Sequence, residues 1–215
     1  MAENIFIFVP NIIGYGRVIL AIISFYFMTT NYVIATWCYI ISALLDAVDG
    51  HAARYFNQGT KFGAMLDQLT DRVGTMCLLV ALCMFYPSYS FWFQLSMAID
   101  ISCHWIYLHT SLLQGKTSHK FIDMSENPIM RMYYTNRTVL FIMCFGNEAF
   151  YVTLYLLHFT EGPVFVGISL FRLIMYLSAP IAFVKSAISL LHGYVACINL
   201  SIIDVKEREK CVKSN

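Results

Sequence analysis

Charge is scarce in this sequence, and its scarcity decides the class of protein. Only 13% of the 215 residues are Asp, Glu, Lys or Arg, about half of the roughly 25% that is typical of a soluble domain. The formal net charge is only +1, so bulk charge indicates no polyanionic partner. The composition therefore argues against a soluble domain and against a nucleic-acid-binding protein.

Paired cysteines and a basic leader are missing too. The seven cysteines occur without a CxxC pair, and most lie within apolar runs. This pattern favours small buried side chains over disulfides or a zinc site. The first residues, MAENIFIFVPN, contain no Lys or Arg. We therefore expect the first apolar segment to stay in the protein rather than to be cleaved as a signal peptide.

The sequence is instead rich in long apolar segments. Hydrophobic residues make up 59% of the chain, and a membrane-spanning helix needs about 20 mostly apolar residues. We predict an all-α, multi-pass membrane protein with a single domain over residues 1–215. Its six predicted transmembrane helices cover residues 5–29, 32–53, 61–85, 90–113, 136–158 and 165–200. The last is too long for one simple span, so we expect an interfacial turn, a kink at Pro180 or an end that projects into water.

Basic residues separate the two sides of the predicted membrane protein. The loops near 30–31, 86–89 and 159–164 contain no Lys or Arg. The opposite side carries Arg54, Lys61, the lysines and arginine of the 114–135 loop and a basic tail at about 204–215. The positive-inside rule then predicts that both termini and the loops after the second and fourth helices are cytosolic.

Four aspartates interrupt the apolar pattern at the cytosolic ends of the second and third predicted helices. On the second helix, the spacing i, i+3, i+4, i+7 gives one face the residues Asp46, Asp49, Gly50 and Ala53. On the third helix, the spacing i, i+4, i+8 gives one stripe the residues Gly63, Asp67 and Asp71. Antiparallel helices joined by a short loop can point these faces at each other.

Four ionised carboxylates at one place repel one another and need a neutralising charge. One unpaired Asp at the centre of a spanning helix already costs about 2.5–3.5 kcal/mol. Ligands that are all oxygen suit Mg²⁺ or Mn²⁺, and two acids from each of two helices fit a two-metal site. The structural alternative is a salt-bridge cluster with Arg54 and Arg72. The small residues on the same faces also fit close helix packing.

Together these residues form the motif D-x2-D-G-x2-A-R-x8-G-x3-D-x3-D over residues 46–71. The motif resembles the signature of the CDP-alcohol phosphatidyltransferase family, with every fixed position filled. The segments NIFIFVPNIIGYGR, LLDAVDGHAAR, GAMLDQLTDR and SHKFIDMSENPIMRMYYTNR extend the resemblance over nearly the whole chain. These segments are similar to the members of the family whose acceptor is myo-inositol.

The resemblance implies a reaction, a fold and a set of site residues. The reaction is transfer of the phosphatidyl group from CDP-diacylglycerol to myo-inositol, giving phosphatidylinositol and CMP. The fold is a six-helix domain, usually a homodimer, in the endoplasmic reticulum membrane with its site open to the cytosol. The implied ligands of Mg²⁺ or Mn²⁺ are Asp46, Asp49, Asp67 and Asp71, and Asp71 is also the implied proton acceptor. The implied contacts to the CDP-diacylglycerol head group are Gly50, Arg54 and Thr60.

Other polar residues within the predicted helices have open roles. Asn11 and Arg17 could line the site, or Arg17 could pair with an acid of the cluster for assembly only. Asp100 and His104 are spaced i, i+4, which fits a functional pair or a structural hydrogen bond between side chains. Candidates for inositol binding, with a plain solvated loop as the alternative, are Glu126, Asn127, Arg131 and Arg137.

Three alternative functions follow from the same residues. Another acceptor alcohol, such as serine, glycerol phosphate, choline or ethanolamine, would use the same motif. A divalent-cation transporter would use the acids as a permeation site, but it would favour acids near the middle of the membrane. A structural membrane scaffold predicts that Asp71→Asn is harmless.

Overall fold

The protein is described by a computed structural model, which covers residues 4–114, 136–165 and 167–214. Within these ranges the chain forms six long helices: α1 (Val9–Phe27), α2 (Tyr32–Tyr55), α3 (Lys61–Phe85), α4 (Ser90–Gln114), α5 (Arg137–Phe159) and α6 (Leu170–Ser214). Short 3₁₀ turns at Ile5–Ile7 and Pro87–Tyr89 precede α1 and α4, and a small antiparallel hairpin of β1 (Val164–Phe165) and β2 (Ile168–Ser169) precedes α6.

Five of these helices are long and apolar enough to cross a membrane. They are α1, α2, α3, the Thr138–Phe159 part of α5 and the Leu170–Val212 part of α6. Helix α4 has the same length as α3, 25 residues, but Asp100, His104 and His109 lower its apolar character. The prediction of an all-α, six-helix membrane protein is confirmed, although α4, among the described helices, is less apolar than the other five.

The chain divides into two compact units. The first comprises Met1–Gln94 with Tyr151–Phe171, and the second comprises Leu95–Phe150 with Arg172–Asn215. Within the first unit, α1 packs along α2 and also contacts α3. Within the second, Thr110 of α4 approaches the backbone carbonyl of Ala196 in α6 at 3.4 Å. The single-domain assignment for residues 1–215 stays a prediction.

The first unit buries polar side chains and exposes apolar ones. The buried face of α1 consists of Pro10, Asn11, Gly14, Arg17, Ala21 and Ser24. Ser24 Oγ donates a hydrogen bond to the Ala35 carbonyl at 2.8 Å. Trp37 and Tyr26 remain 62% and 76% exposed. In water such apolar surface would be costly, whereas in a bilayer it meets lipid while small and polar residues join the helices.

The short connection between α2 and α3 is held by local hydrogen bonds. Asn57 adopts a positive φ of 52°, which Asn tolerates better than most residues. Thr60 then caps α3 by accepting a hydrogen bond from the Gly63 N–H at 2.9 Å. Gln58 Oε1 accepts from the Val9 N–H at 3.0 Å. This bond fixes the start of α1 beside the start of α3.

The last helix is longer than the sequence predicts. The predicted span of 165–200 becomes the β1–β2 hairpin followed by α6, a helix of 45 residues that contains Pro180. Gly167 in the hairpin has a φ of 80°, a conformation that glycine adopts without steric cost. The hairpin is a turn of the kind expected before the last span. The tail that begins near residue 204 continues α6 as helix to Ser214.

Candidate active site

All four aspartates of the motif meet at one side chain, Arg17 of α1. Arg17 Nη1 lies 2.8 Å from Asp49 Oδ2 and 2.6 Å from Asp67 Oδ1. Arg17 Nη2 lies 2.7 Å from Asp46 Oδ1 and 2.7 Å from Asp71 Oδ1. Each terminal nitrogen therefore joins one acid of α2 to one acid of α3. The two acidic helix faces point at each other, with the guanidinium between them.

The cluster has a closed side and an open side. Arg17 is 1% exposed, and the Asp49 side chain is 12% exposed. The side chains of Asp46, Asp67 and Asp71 are 42–43% exposed. A ligand can therefore approach three of the carboxylates, while Arg17 and Asp49 form the floor of the site.

The donor set fits a divalent metal ion. Asp46, Asp49 and Asp67 each offer one carboxylate oxygen, and these oxygens lie within 4.8 Å of one another. Carboxylate oxygens are the ligands that Mg²⁺ and Mn²⁺ prefer. Four carboxylates around one guanidinium leave three formal negative charges at a partly buried place. A site with this excess negative charge favours the binding of cations.

A cavity of about 170 Å³ lies beside the cluster, and two of the acids line it. Its lining includes Asn11, Asp49, Gly50, Gln58, Thr60, Gly63 and Asp67. At Gly50 a Cβ would have the Arg54 guanidinium, 3.6 Å away, as its nearest neighbour. The missing side chain thus leaves room along the helix backbone. Because this neighbour lies at ordinary van der Waals distance from the position of a Cβ, the described residues do not fill the space beside Gly50.

Asn11 lines this cavity and carries a buried acceptor oxygen. Its Nδ2 donates to the Ile5 carbonyl at 2.6 Å, which fixes which way the amide points. Its Oδ1 is buried and accepts no hydrogen bond from the described residues. The same oxygen lies 2.6 Å from the place where a Cβ on Gly63 would sit. Glycine at position 63 therefore leaves space for a carbonyl oxygen that still needs a donor.

The other residues singled out in the sequence fall in different places. Arg54 is exposed on α2, with its guanidinium beside Gly50, and Thr60 lines the cavity as the cap of α3. Asp100 and His104 belong to α4 in the second unit. The inositol candidates Glu126, Asn127 and Arg131, and the side chain of Arg137, lie outside the described residues.

The role of Arg17 is the part of the site that sequence reasoning left open. The sequence indicated Arg54 and Arg72 as sources of neutralising charge. In the structure, Arg17 forms an ion pair with each of the four acids. One signal was present: Arg17 shares its helix face with Asn11, Gly14 and Ser24, a stripe of small and polar residues. Such a stripe marks the face of a membrane helix that packs against protein.

Fold and site together define a multi-pass membrane protein with a carboxylate-rich polar site beside a cavity. Residues 7–184 match the sequence model of the CDP-alcohol phosphatidyltransferase family. The chain belongs to this family. The match covers α1 to α5 and the first part of α6, and it includes every residue of the motif at 46–71.

Curated relatives are similar to this chain over three quarters of its length or more. The CDP-diacylglycerol–inositol 3-phosphatidyltransferase of Drosophila melanogaster is 59% identical over 97% of this chain and 91% of its own length. The protein of the same name from Homo sapiens is 54% identical, over 97% of this chain and 98% of its own length. The one from Saccharomyces cerevisiae is 44% identical, over 76% and 74% of the two chains.

Proposed function

We propose that this protein transfers the phosphatidyl group from CDP-diacylglycerol to myo-inositol, forming phosphatidylinositol and releasing CMP. The observation that carries the proposal is the meeting of the four signature carboxylates beside a cavity with room at Gly50. The names of the relatives, at 54–59% identity over nearly full length, support inositol as the acceptor.

The cavity suits the nucleotide part of the lipid substrate. Gly50 lets a nucleotide approach the α2 backbone, and Thr60 offers a hydroxyl in the same cavity. Arg54, next to Gly50, carries a planar fork of donors for phosphate oxygens. Asn11 Oδ1 can accept a hydrogen bond from the cytosine amino group or from a ribose hydroxyl. We therefore infer that these four residues hold the CDP head group.

The reaction needs a nucleophile, a leaving group and a proton acceptor. A hydroxyl oxygen of inositol bonds to the phosphorus that carries diacylglycerol, and the bond from that phosphorus to the bridging oxygen breaks. CMP leaves with the bridging oxygen. The hydroxyl proton passes to the carboxylate of Asp71, which is 42% exposed and can return the proton to water. A positioned base of this kind contributes about 10²- to 10⁴-fold to the rate.

The four acids would also hold the divalent cations that this chemistry requires. Asp46, Asp49 and Asp67 supply the group of carboxylate oxygens within 4.8 Å, with Asp71 as the fourth ligand. A pair of Mg²⁺ or Mn²⁺ ions bound there would supply electrostatic stabilisation of the diphosphate and of the negative charge that develops on the leaving CMP. Arg17 contacts all four carboxylates from the buried side of the site and holds them close together.

The membrane setting follows from the same argument. The acyl chains of the substrate stay in lipid, whereas inositol and CMP are water-soluble, so the cavity must open to an aqueous compartment. The basic residues beside the motif, Arg54 and Lys61, favour the cytosolic side. We infer a homodimer in the endoplasmic reticulum membrane, with both termini and the site in the cytosol, from the family resemblance.

The test is an assay of the purified full-length protein in lipid nanodiscs. CDP-diacylglycerol is supplied with Mg²⁺ or Mn²⁺ and with labelled inositol, serine, glycerol 3-phosphate, choline or ethanolamine in parallel. We expect equal amounts of CMP and labelled lipid with inositol alone. Labelled product with a different alcohol, and none with inositol, would overturn the choice of acceptor.

A matched pair of variants tests the catalytic role. Asp71→Asn should lower turnover by about 10²- to 10⁴-fold while the protein still folds, because the amide keeps the shape of the side chain but cannot accept the proton. Asp204→Asn makes the same chemical change at an exposed position of α6 and should leave turnover unchanged. Full turnover in Asp71→Asn would remove Asp71 from the mechanism.

A further inference from the structure

Arg17 is unusual among the residues of the site because it contacts every acid and faces away from the solvent. It is 1% exposed, and each of its two terminal nitrogens lies within 2.8 Å of one acid from α2 and one from α3. The Ser42 hydroxyl donates to the Arg17 backbone carbonyl at 3.1 Å, so the residue is also tied to α2 through its main chain. Arg17 therefore links three helices at one point.

Only a guanidinium can make this set of bonds. Its two terminal nitrogens carry four N–H groups in a fixed plane. They donate hydrogen bonds to Asp49, Asp67 and Asp71, and Nη2 also lies in ion-pair contact with Asp46 at 2.7 Å. A lysine ammonium has three N–H groups on one nitrogen and cannot pair with all four acids at once. Three hydrogen bonds and a fourth ion pair from one buried guanidinium indicate that Arg17 itself holds the acids in their arrangement.

The carboxylates that Arg17 contacts are also the ones that would bind the metal. Asp46, Asp49 and Asp67 form the group of oxygens suited to a divalent ion, and Arg17 lies 2.6–2.8 Å from an oxygen of each. A positive charge at this distance repels a second cation drawn to the same oxygens, and burial strengthens that repulsion. Arg17 and the metal thus act on one set of ligands with opposing effects.

We propose that Arg17 is a built-in counter-cation that holds the metal-free site in shape and competes with the divalent ions for the same four carboxylates. This inference rests on the proposed function, since it takes the acids to be metal ligands. Without Arg17, the metal-free site carries four unopposed negative charges and loses stability. With metal bound, the loss is smaller, because the ions supply the missing positive charge. Arg17 is therefore a positioning residue that sets both the stability of the empty site and its affinity for metal.

The experiment uses Mn²⁺ alone as the probe, with no lipid substrate and no turnover. Full-length protein in nanodiscs is titrated with Mn²⁺, and free Mn²⁺ is measured by electron paramagnetic resonance. Thermal unfolding is followed by tryptophan fluorescence, in chelator and in saturating Mn²⁺. The variants are Arg17→Gln, which removes the charge, and Arg17→Lys, which keeps the charge but pairs with fewer acids.

We expect Arg17→Gln to bind Mn²⁺ about tenfold more tightly than the wild type, a common size for coupling between two ligands of one site. Arg17→Lys should fall between the two. Both variants should lose more thermal stability in chelator than in Mn²⁺. The control is Lys185→Gln, which removes a buried cation of the second unit and should leave the Mn²⁺ affinity unchanged.

The possible results separate a failure of this inference from a failure of the proposed metal site. The inference would be overturned if the Arg17 variants bind Mn²⁺ no more tightly than the wild type. It would also be overturned if the variants lose the same amount of thermal stability with and without metal. If Arg17→Gln does not fold, the affinity of Arg17→Lys alone decides in the same way. A wild-type protein that binds no Mn²⁺ would instead contradict the metal site of the proposed function.

Discussion

Gly63→Ala tests the close approach of α1 and α3 beside the cavity. A Cβ at position 63 would lie 2.6 Å from Asn11 Oδ1 and 3.2 Å from Thr60 Oγ1. Ordinary carbon–oxygen contacts begin at about 3.3 Å, so the added methyl group and the amide must separate by roughly 0.7 Å. Neither neighbour yields easily, because the Asn11 amide is bonded to the Ile5 carbonyl and the Thr60 hydroxyl caps α3.

The expected cost is that of overpacking a tight contact, about 1–3 kcal/mol. Gly16→Ala is the matched control, since a Cβ at Gly16 on α1 would have no neighbour within 4 Å. Both substitutions gain the helix propensity of alanine, about 0.8–1 kcal/mol, so the difference between them isolates the clash. For a chain of this length, 1 kcal/mol corresponds to roughly 2–4 °C in Tm.

The assay is thermal unfolding of the two variants in the same nanodisc preparation, followed by tryptophan fluorescence. We expect Gly63→Ala to unfold about 2–12 °C below Gly16→Ala. Its KM for CDP-diacylglycerol should rise as well, because the displaced Asn11 amide lines the cavity. If Gly63→Ala is as stable as Gly16→Ala and equally active, then α1 and α3 do not approach at this point and the geometry of the cavity is wrong.

Three further predictions concern single side chains. Gly50→Ala should be at least as stable as the wild type, because alanine favours the helix and its Cβ would meet only the Arg54 guanidinium at 3.6 Å. It should nevertheless raise the KM for CDP-diacylglycerol; an unchanged KM would show that the substrate does not use this space. Asn11→Ala should raise the same KM about three- to tenfold, the value of one hydrogen bond, whereas no change in KM would remove Asn11 from substrate binding. Burial and the nearby Glu161 raise the pKa of Tyr86, whose hydroxyl donates to the Leu154 carbonyl at 3.1 Å. The folded protein favours the protonated Tyr86 hydroxyl, so the stability that this hydroxyl contributes is present at neutral pH and is lost as the pH rises through the raised pKa. Tyr86→Phe should therefore lose less stability than the wild type between pH 8 and about pH 11. Parallel curves of stability against pH for the two proteins would contradict this.

Much of the helical framework could be predicted from the sequence because apolar runs and their polar breaks mark it directly. The predicted spans of 32–53 and 61–85 correspond to Tyr32–Tyr55 and Lys61–Phe85. The gap between them is short and contains Thr60, a residue that caps helices well. Helix α6 is harder, because its apolar part runs on into a charged tail that remains helical to Ser214. No change of period marks where such a helix leaves the membrane.

The site could be predicted only as far as local spacing reaches. The intervals from Asp46 to Asp49 and from Asp67 to Asp71 put each pair on one helix face, and the short loop lets the faces meet. Arg17 comes from a helix about 30 residues earlier in the chain than Asp46. Spacing along the sequence marks the polar face of that helix but cannot tell which other helices this face contacts. The orientation of the Asn11 amide could not be predicted either, since it depends on the carbonyl of Ile5.

The most direct test of the account is a titration of Mg²⁺ and of Mn²⁺ against inositol-dependent CMP release by the purified protein. The acidic cluster of Asp46, Asp49, Asp67 and Asp71 predicts no release in chelator, full recovery on adding back either ion, and one labelled phosphatidylinositol for each CMP. Undiminished release of CMP in excess chelator, or release that does not depend on inositol, would contradict a metal-assisted transfer to inositol at these carboxylates.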